Sequence, residues 1–262
     1  EKLLSFQLLN SVDSIIVCGT TGEASTMSDD EKSSIIKCAV DFVDKKIPII
    51  VGCGSNDTNK AIFNAKMAES LGADGLLVVT PYYNKCTQSG LIKHYSKIAE
   101  SVSIPIILYN VPSRTGVNIE PETCFELSKV SNIVAIKEAS GNISQVAKIS
   151  ALCNDNLFIY SGNDDQVIPI LSLGGIGVIS VLSNIKPLET HNMVTSFFDG
   201  NLSASKNLQL GLLPLISALF CEVNPIPVKY ALNILGFDFG VPRLPLSELS
   251  SKNKLLLDNL LA

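Results

Sequence analysis

The stretch IVAIKEASG, Ile133 to Gly141, sets a lysine, Lys137, directly after four apolar residues. The run reads as a buried strand, and an ammonium drawn into an apolar interior without a partner is costly or loses its proton. Lys137 is therefore expected where the strand emerges from the core. Side chains alternate across a strand. Ile133, Ala135 and Lys137 should then share one face, with Val134, Ile136 and Glu138 on the other.

Six more short apolar runs share this character. They are SIIVCG from Ser14, PIIVGCG from Pro48, GLLVVTP from Gly75, PIILYNVP from Pro105, LFIYSGN from Leu157 and GIGVISV from Gly175. None alternates cleanly with polar residues, as expected of parallel strands covered on both faces. Between them lie amphipathic helical patterns such as SDDEKSSIIKCAVDFVDK and TNKAIFNAKMAESLGA. Ser28 with Glu31 reads as a capping box, and Leu71-Gly72 as a helix stop.

The repeat interval of about 30 residues is that of a β-α unit, which serves both a doubly wound sheet and a closed barrel. Polar residues follow nearly every strand end: GTTGE, GSND, PYYN, YNVPSR, KEASG and SGNDD. A barrel gathers all its strand ends into one mouth, whereas a doubly wound sheet concentrates them at one switch point. An α/β barrel is expected over residues 1–200. Past Val181 the pattern is wholly helical, and residues 201–262 read as a C-terminal helical extension. EKLLSFQLL at the start reads as a helix, so the usual first strand of the barrel is expected before Glu1. Without it two strands would present bare edges, with weaker stability or altered assembly.

Composition narrows the function classes. The 262 residues are 46% hydrophobic and 17% charged, within the range of a large α/β domain. A net charge of −5 leaves no basic footprint for nucleic acid. No run approaches the ~18 apolar residues of a membrane span, and no signal peptide is visible. Seven cysteines without a C-x-x-C pair suit reduced thiols in a cytoplasmic protein. With only His94 and His191 available, neither a histidine metal centre nor a Ser-His-Asp triad is expected, and no cofactor.

At a barrel mouth, a lysine in a partly dry site is an amine nucleophile toward carbonyls. The bland alternative for Lys137 is a lysine snorkelling to solvent or paired with Glu138 or Asp165. Tyr109 holds the equivalent strand-end position and could pass protons, or merely pack. Arg114 offers a planar fork for a carboxylate, or is a surface arginine. Thr20 and Thr21, flanked by glycines, allow close approach of backbone N–H groups to an anion, or form a plain turn. GGIGV after Leu173 suits a phosphate loop, or a tight helix-to-strand return.

The motifs GTTGE, VTPYYN, ILYNVPSRTG, IKEASGN, SGND, GVISV and NPIPVK occur in this order over essentially the whole chain. Together they resemble the dihydrodipicolinate synthase (4-hydroxy-tetrahydrodipicolinate synthase) family, within the class I aldolases and lyases that include N-acetylneuraminate lyase. The resemblance implies a TIM (β/α)8 barrel that condenses pyruvate with L-aspartate 4-semialdehyde in lysine and diaminopimelate biosynthesis. It implies a Schiff base on Lys137, with Tyr109 as the acid/base phenol and Thr21 and Tyr83 in a proton relay. Tyr83 would reach across a tight dimer. Thr20 and Thr21 would bind the pyruvate carboxylate, Arg114 the aldehyde's carboxylate, and the Gly162 and Ile179 backbones would line the pocket. The assembly implied is a homotetramer of tight dimers, with a dimer as the alternative. Rival readings are another pyruvate-dependent class I aldolase and an inactive truncated scaffold form. In lysine-regulated members the effector lies near Asn56 and Tyr82. Here Lys60 stands where a carboxylate would grip it, and Asp29 and Lys32 replace histidines. Like charges there repel by roughly 1 kcal/mol or more, so weak or absent lysine inhibition is expected.

Overall fold

A computed structural model describes residues 1–261 of the chain. All seven apolar runs form strands: β1 Ile15–Val17, β2 Ile49–Gly52, β3 Gly75–Val79, β4 Ile106–Asn110, β5 Ile133–Glu138, β6 Phe158–Ser161 and β7 Gly177–Val178. They pair in parallel and in sequence order as one sheet. The opening helix is α1, Lys2–Leu9. Helices α2 Asp29–Val43, α3 Thr58–Ser70 and α4 Gln88–Ala99 carry the chain from β1 to β4. The short α5 Pro112–Thr115 and α6 Pro121–Leu127 lead to β5, α7 Ile143–Cys153 to β6, and α8 Val167–Leu171 to β7. After β7 come α9 Pro187–Phe198, α10 Leu202–Ala218, α11 Ile226–Ile234 and α12 Ser251–Leu261.

The sheet curls into a TIM-like barrel. Ile16, Ile50, Leu77, Ile107, Ala135, Tyr160 and Ile179, drawn from the first strand through to the residue after the last, pack in one interior cluster. The opposite faces of the strands meet the helices in a larger cluster that includes Val51, Leu76, Ile106, Ile136 and Ile159. A strand covered on both sides has no polar face to show, which is why these runs lack alternation. Val181, Leu182 and Ile185 share a further cluster with residues of α10, α11 and α12.

Local signals act as their chemistry dictates. The Ser28 hydroxyl accepts from Glu31 N while the Glu31 carboxylate accepts from Ser28 N, completing the box that starts α2. Helix α3 ends at Leu71, and Gly72 takes φ +90°. Gly174, at φ +92°, and Gly175, packed against the Ile170 carbonyl, make the tight return from α8 into β7.

One expectation is corrected. The β4–β5 register runs Ile106 with Ile133, then Ile107 with Ala135, because a bulge skips Val134. Ile133 consequently packs with the helix-facing cluster, and Val134 packs against the barrel interior. The extra residue inverts alternation at the start of the strand. Ala135 keeps the inward side, as expected.

Among the described residues β1 and β7 each have a neighbour on one side only. The three residues of β1 are half-buried, whereas β4 is buried throughout. At the mouth, strand ends approach closely. A Cβ on Gly54, just past β2, would stand 2.6 Å from Val79 N and 2.8 Å from Val79 Cγ1. Gly54→Ala should therefore destabilise the chain by about 1–3 kcal/mol, seen as a lower urea midpoint with an unchanged slope. A wild-type midpoint would show that β2 and β3 can part freely here.

Candidate active site

Register puts Lys137 beside Tyr109 of β4 on one side and Tyr160 of β6 on the other. The Lys137 Nζ stands 4.4 Å from the centroid of the Tyr109 ring, which is itself buried. Among the described residues no carboxylate is within ion-pairing distance of Lys137. Pairing with Glu138 or Asp165 is thereby set aside. Glu138 points to the helix side, 1% exposed. It accepts from Asn110 Nδ2 at 2.9 Å, Gln145 Nε2 at 3.1 Å and Ser140 N at 2.7 Å. Asp165 is exposed on the turn after β6.

The loop after β1 brings Thr20 and Thr21 to the same end. Thr20 is exposed, and Thr21 is half-buried with its Oγ1 accepting from Asn224 Nδ2 at 3.0 Å. Glu23 ends this loop with φ +56° and pairs with Lys229 at 2.6 Å, while also accepting from Arg243 N. Burial pushes the Glu23 carboxyl up, but the bonds and charges of Lys229 and Arg243 outweigh it and hold it below the usual range. Arg114 is exposed and donates from Nη2 to the Asn224 carbonyl at 3.4 Å. Gly162 donates to the Glu138 carbonyl at 2.8 Å, and a Cβ there would stand 2.6 Å from Ala139 Cβ. Only glycine fits so tight a crossing. Ile179 donates to the Ser161 carbonyl and packs against the interior cluster.

Tyr83 lies apart from this group. It is 90% exposed with φ +75°, and no hydrogen bond among the described residues joins it to Tyr109 or Thr21. Of the positions expected around an effector, Asn56 precedes α3, Lys60 lies within it and Tyr82 follows β3. Asn56 accepts at its carbonyl from Asn84, and Tyr82 is exposed. Lys60 is not a bare charge: its ammonium pairs with Asp29 at 2.6 Å and lies 4.5 Å from the Phe63 ring centroid. The hydrogen bond from Lys60 holds the Asp29 carboxyl below the usual range.

Three polar groups escaped the sequence reading. Asn224 touches both Thr21 and Arg114, from NPIPVK, far along the chain. Asp164, buried, accepts from Val181 N and Leu182 N at 3.0 Å each. Burial pushes its carboxyl up, against hydrogen bonds from Ser180, Leu182 and Val181 and the charge of Lys137. Tyr160 was within reach of inference, since it stands one residue before the strand-end Ser161 in LFIYSGN and so shares the face of Ile179. Burial, then the Asp13 charge, pushes its phenol up. The buried thiols do not compete as nucleophiles: burial pushes Cys53 up to about 12 and raises Cys18 as well. Among the described residues no group of three His, Cys, Asp or Glu is arranged to hold a metal ion, and no helix is long and apolar enough to cross a membrane.

Fold and site define a class, an α/β barrel with an amine and a phenol on adjacent strand ends in its mouth. Comparison with known proteins makes that particular. The chain belongs to the dihydrodipicolinate synthetase family, whose model matches residues 1–262. It is 60% identical over 256 residues to a 4-hydroxy-tetrahydrodipicolinate synthase of Caldicellulosiruptor saccharolyticus, covering 98% of this chain and 86% of that one. The crystal structure of dihydrodipicolinate synthase from Thermotoga maritima is similar with a TM-score of 0.97 at 46% identity, over 99% of this chain and 90% of that one. A chloride-inhibited dihydrodipicolinate synthase of Acinetobacter baumannii, complexed with pyruvate, is similar with a TM-score of 0.96 at 42% identity, over 98% and 89% of the two chains.

Removing the Glu138 carboxylate would strand three donors in a dry place. Glu138→Ala should cost about 3 kcal/mol or more in unfolding free energy, and Glu138→Gln clearly less. Equal losses in urea titrations of the two variants would mean that a side chain of the same volume with one acceptor oxygen does not serve, and that the ionised carboxylate itself is what these donors require.

Proposed function

We propose that this chain is a lyase that condenses pyruvate with L-aspartate 4-semialdehyde, supplying lysine and diaminopimelate biosynthesis through a Schiff base on Lys137. The observation that carries the reading is an amine beside the Tyr109 ring, at adjacent strand ends, with no carboxylate among the described residues within ion-pairing distance. Family membership supplies the reaction.

In this reading the Lys137 amine adds to the keto carbon of pyruvate, and loss of water leaves an iminium. Tyr109 moves the protons that the addition and dehydration require. The cationic nitrogen withdraws electrons, so the methyl group gives up a proton and becomes an enamine carbon. That carbon attacks the aldehyde of the second substrate. The product's own amine then displaces the lysine, closing the ring and regenerating Lys137. Thr20 and Thr21 receive the pyruvate carboxylate and Arg114 that of the aldehyde, while the backbones of Gly162 and Ile179 line the pocket. Arg114 suits the task because its planar fork meets a carboxylate with two parallel hydrogen bonds.

Tyr83 joins the relay from a second copy of the chain, giving a homo-oligomer. Its exposure and left-handed backbone, in a residue with little to hold it within its own subunit, support that placement. The barrel unit is assigned to residues 1–200 and the helical extension to residues 201–262. The gap between β7 and β1 is the place of the usual first strand, supported by the unpaired edges on either side. Seven unpaired thiols suit a cytoplasmic setting.

Sodium borohydride added with pyruvate should trap a reduced adduct, and peptide mapping should place it on Lys137. Tyr109→Phe should lower kcat about 100-fold or more. A folded chain that forms no adduct on Lys137 would overturn the reading.

Asn56, Tyr82 and Lys60 mark a degenerate form of an effector site. Lys60 is already paired with Asp29 and offers an incoming ammonium no free carboxylate. Free lysine should leave steady-state turnover unchanged at submillimolar concentration, and inhibition in that range would refute the assignment.

A further inference from the structure

Asn224, two residues before α11, reaches back into the barrel mouth from 203 residues away in sequence to touch Thr21. It is only 5% exposed, and its Oδ1 is buried without a hydrogen-bond partner among the described residues. A stranded acceptor lowers stability, so the amide is not explained by what it adds to the fold. What it does make is a bridge. Its side-chain Nδ2 donates to the Thr21 hydroxyl, and its backbone carbonyl accepts from the Arg114 guanidinium.

We propose that Asn224 is a positioning residue that aims the Thr21 hydroxyl proton and the Arg114 guanidinium at the carboxylates of the two substrates. The proposal rests on the reading of the Lys137 mouth as a pyruvate site. An amide NH2 can only donate, so Thr21 Oγ1 must accept from it. That bond uses an acceptor position of the hydroxyl and leaves its single hydrogen to be given elsewhere. An ionised carboxylate only accepts, so a threonine held this way meets a keto acid with its proton already available. Arg114 spends one of its five donors on the Asn224 carbonyl and keeps the others for a second carboxylate. Because side chain and backbone of one residue serve the two groups, the subsites are mechanically joined.

The test is a double-mutant cycle on the full chain. Asn224→Asp keeps the shape of the side chain but replaces the donor with an acceptor, which draws the Thr21 proton away from the pocket. The expected result is a rise of about tenfold in the pyruvate concentration that half-saturates borohydride trapping, the loss expected for one hydrogen bond. The maximal trapping rate should change far less. Thr21→Val should give a similar rise, and the double variant no more than about twofold beyond either single one. Additive effects, or an unchanged half-saturation in Asn224→Asp, would overturn the proposal. Circular dichroism and the melting temperature establish folding, and Asn224→Ser takes the place of Asn224→Asp in the same cycle if the aspartate variant does not fold. Failure of the unsubstituted chain to trap pyruvate on Lys137 would instead defeat the functional reading itself.

Discussion

The parallel pairing of β4 with β5 is the constraint from which the site follows. Its last two steps set Tyr109 against Lys137 and Asn110 against Glu138. The first couple faces the barrel interior, and the second faces the helices. A slip of one residue would exchange the two faces and push a carboxylate into the mouth in place of the amine. Polar chemistry on the helix side opposes that slip. Glu138 has donors from Asn110, Gln145 and Ser140, and Asn110 Oδ1 in turn accepts from Ile119 N. A network satisfied at so many points has one register that fits it.

Charge ties the mouth to the C-terminal helices, and burial decides which contact matters. The Lys229–Glu23 pair is 14% and 17% exposed, and it closes over a loop whose backbone bends into the left-handed region at Glu23. The Arg243–Glu31 fork has good geometry at 2.6 and 2.9 Å, and the Arg243 hydrogen bond holds Glu31 down at about 2. That pair lies in solvent, where screening and side-chain entropy leave little net gain. The Glu23 pair, which joins the threonine loop to α11, is therefore the firmer of the two contacts.

Much of this was legible in the sequence. Strands followed from unbroken apolar runs, helix limits from Ser28, Glu31 and Gly72, and the meeting of Tyr109 with Lys137 from the tendency of consecutive parallel strands to be neighbours. The bulge at Val134 was not legible, because an all-apolar run has no alternation for an extra residue to disturb. Asn224 and Asp164 were hidden for another reason: their partners are Thr21, Arg114, Val181 and Leu182, and short motifs carry no sign of contacts made at such distance along the chain. Lys60 was read as an isolated charge because its neutralising partner, Asp29, belongs to a different helix.

The extra residue at Val134 is spare in a literal sense. Ile133 already stands opposite Ile106 and Ala135 opposite Ile107, one toward the helices and the other toward the interior. A chain shortened by Val134 alone would keep both pairings and both directions. The strand would still deliver Lys137 to the inner side beside Tyr109, because the phase of its end is counted from Ala135 onward.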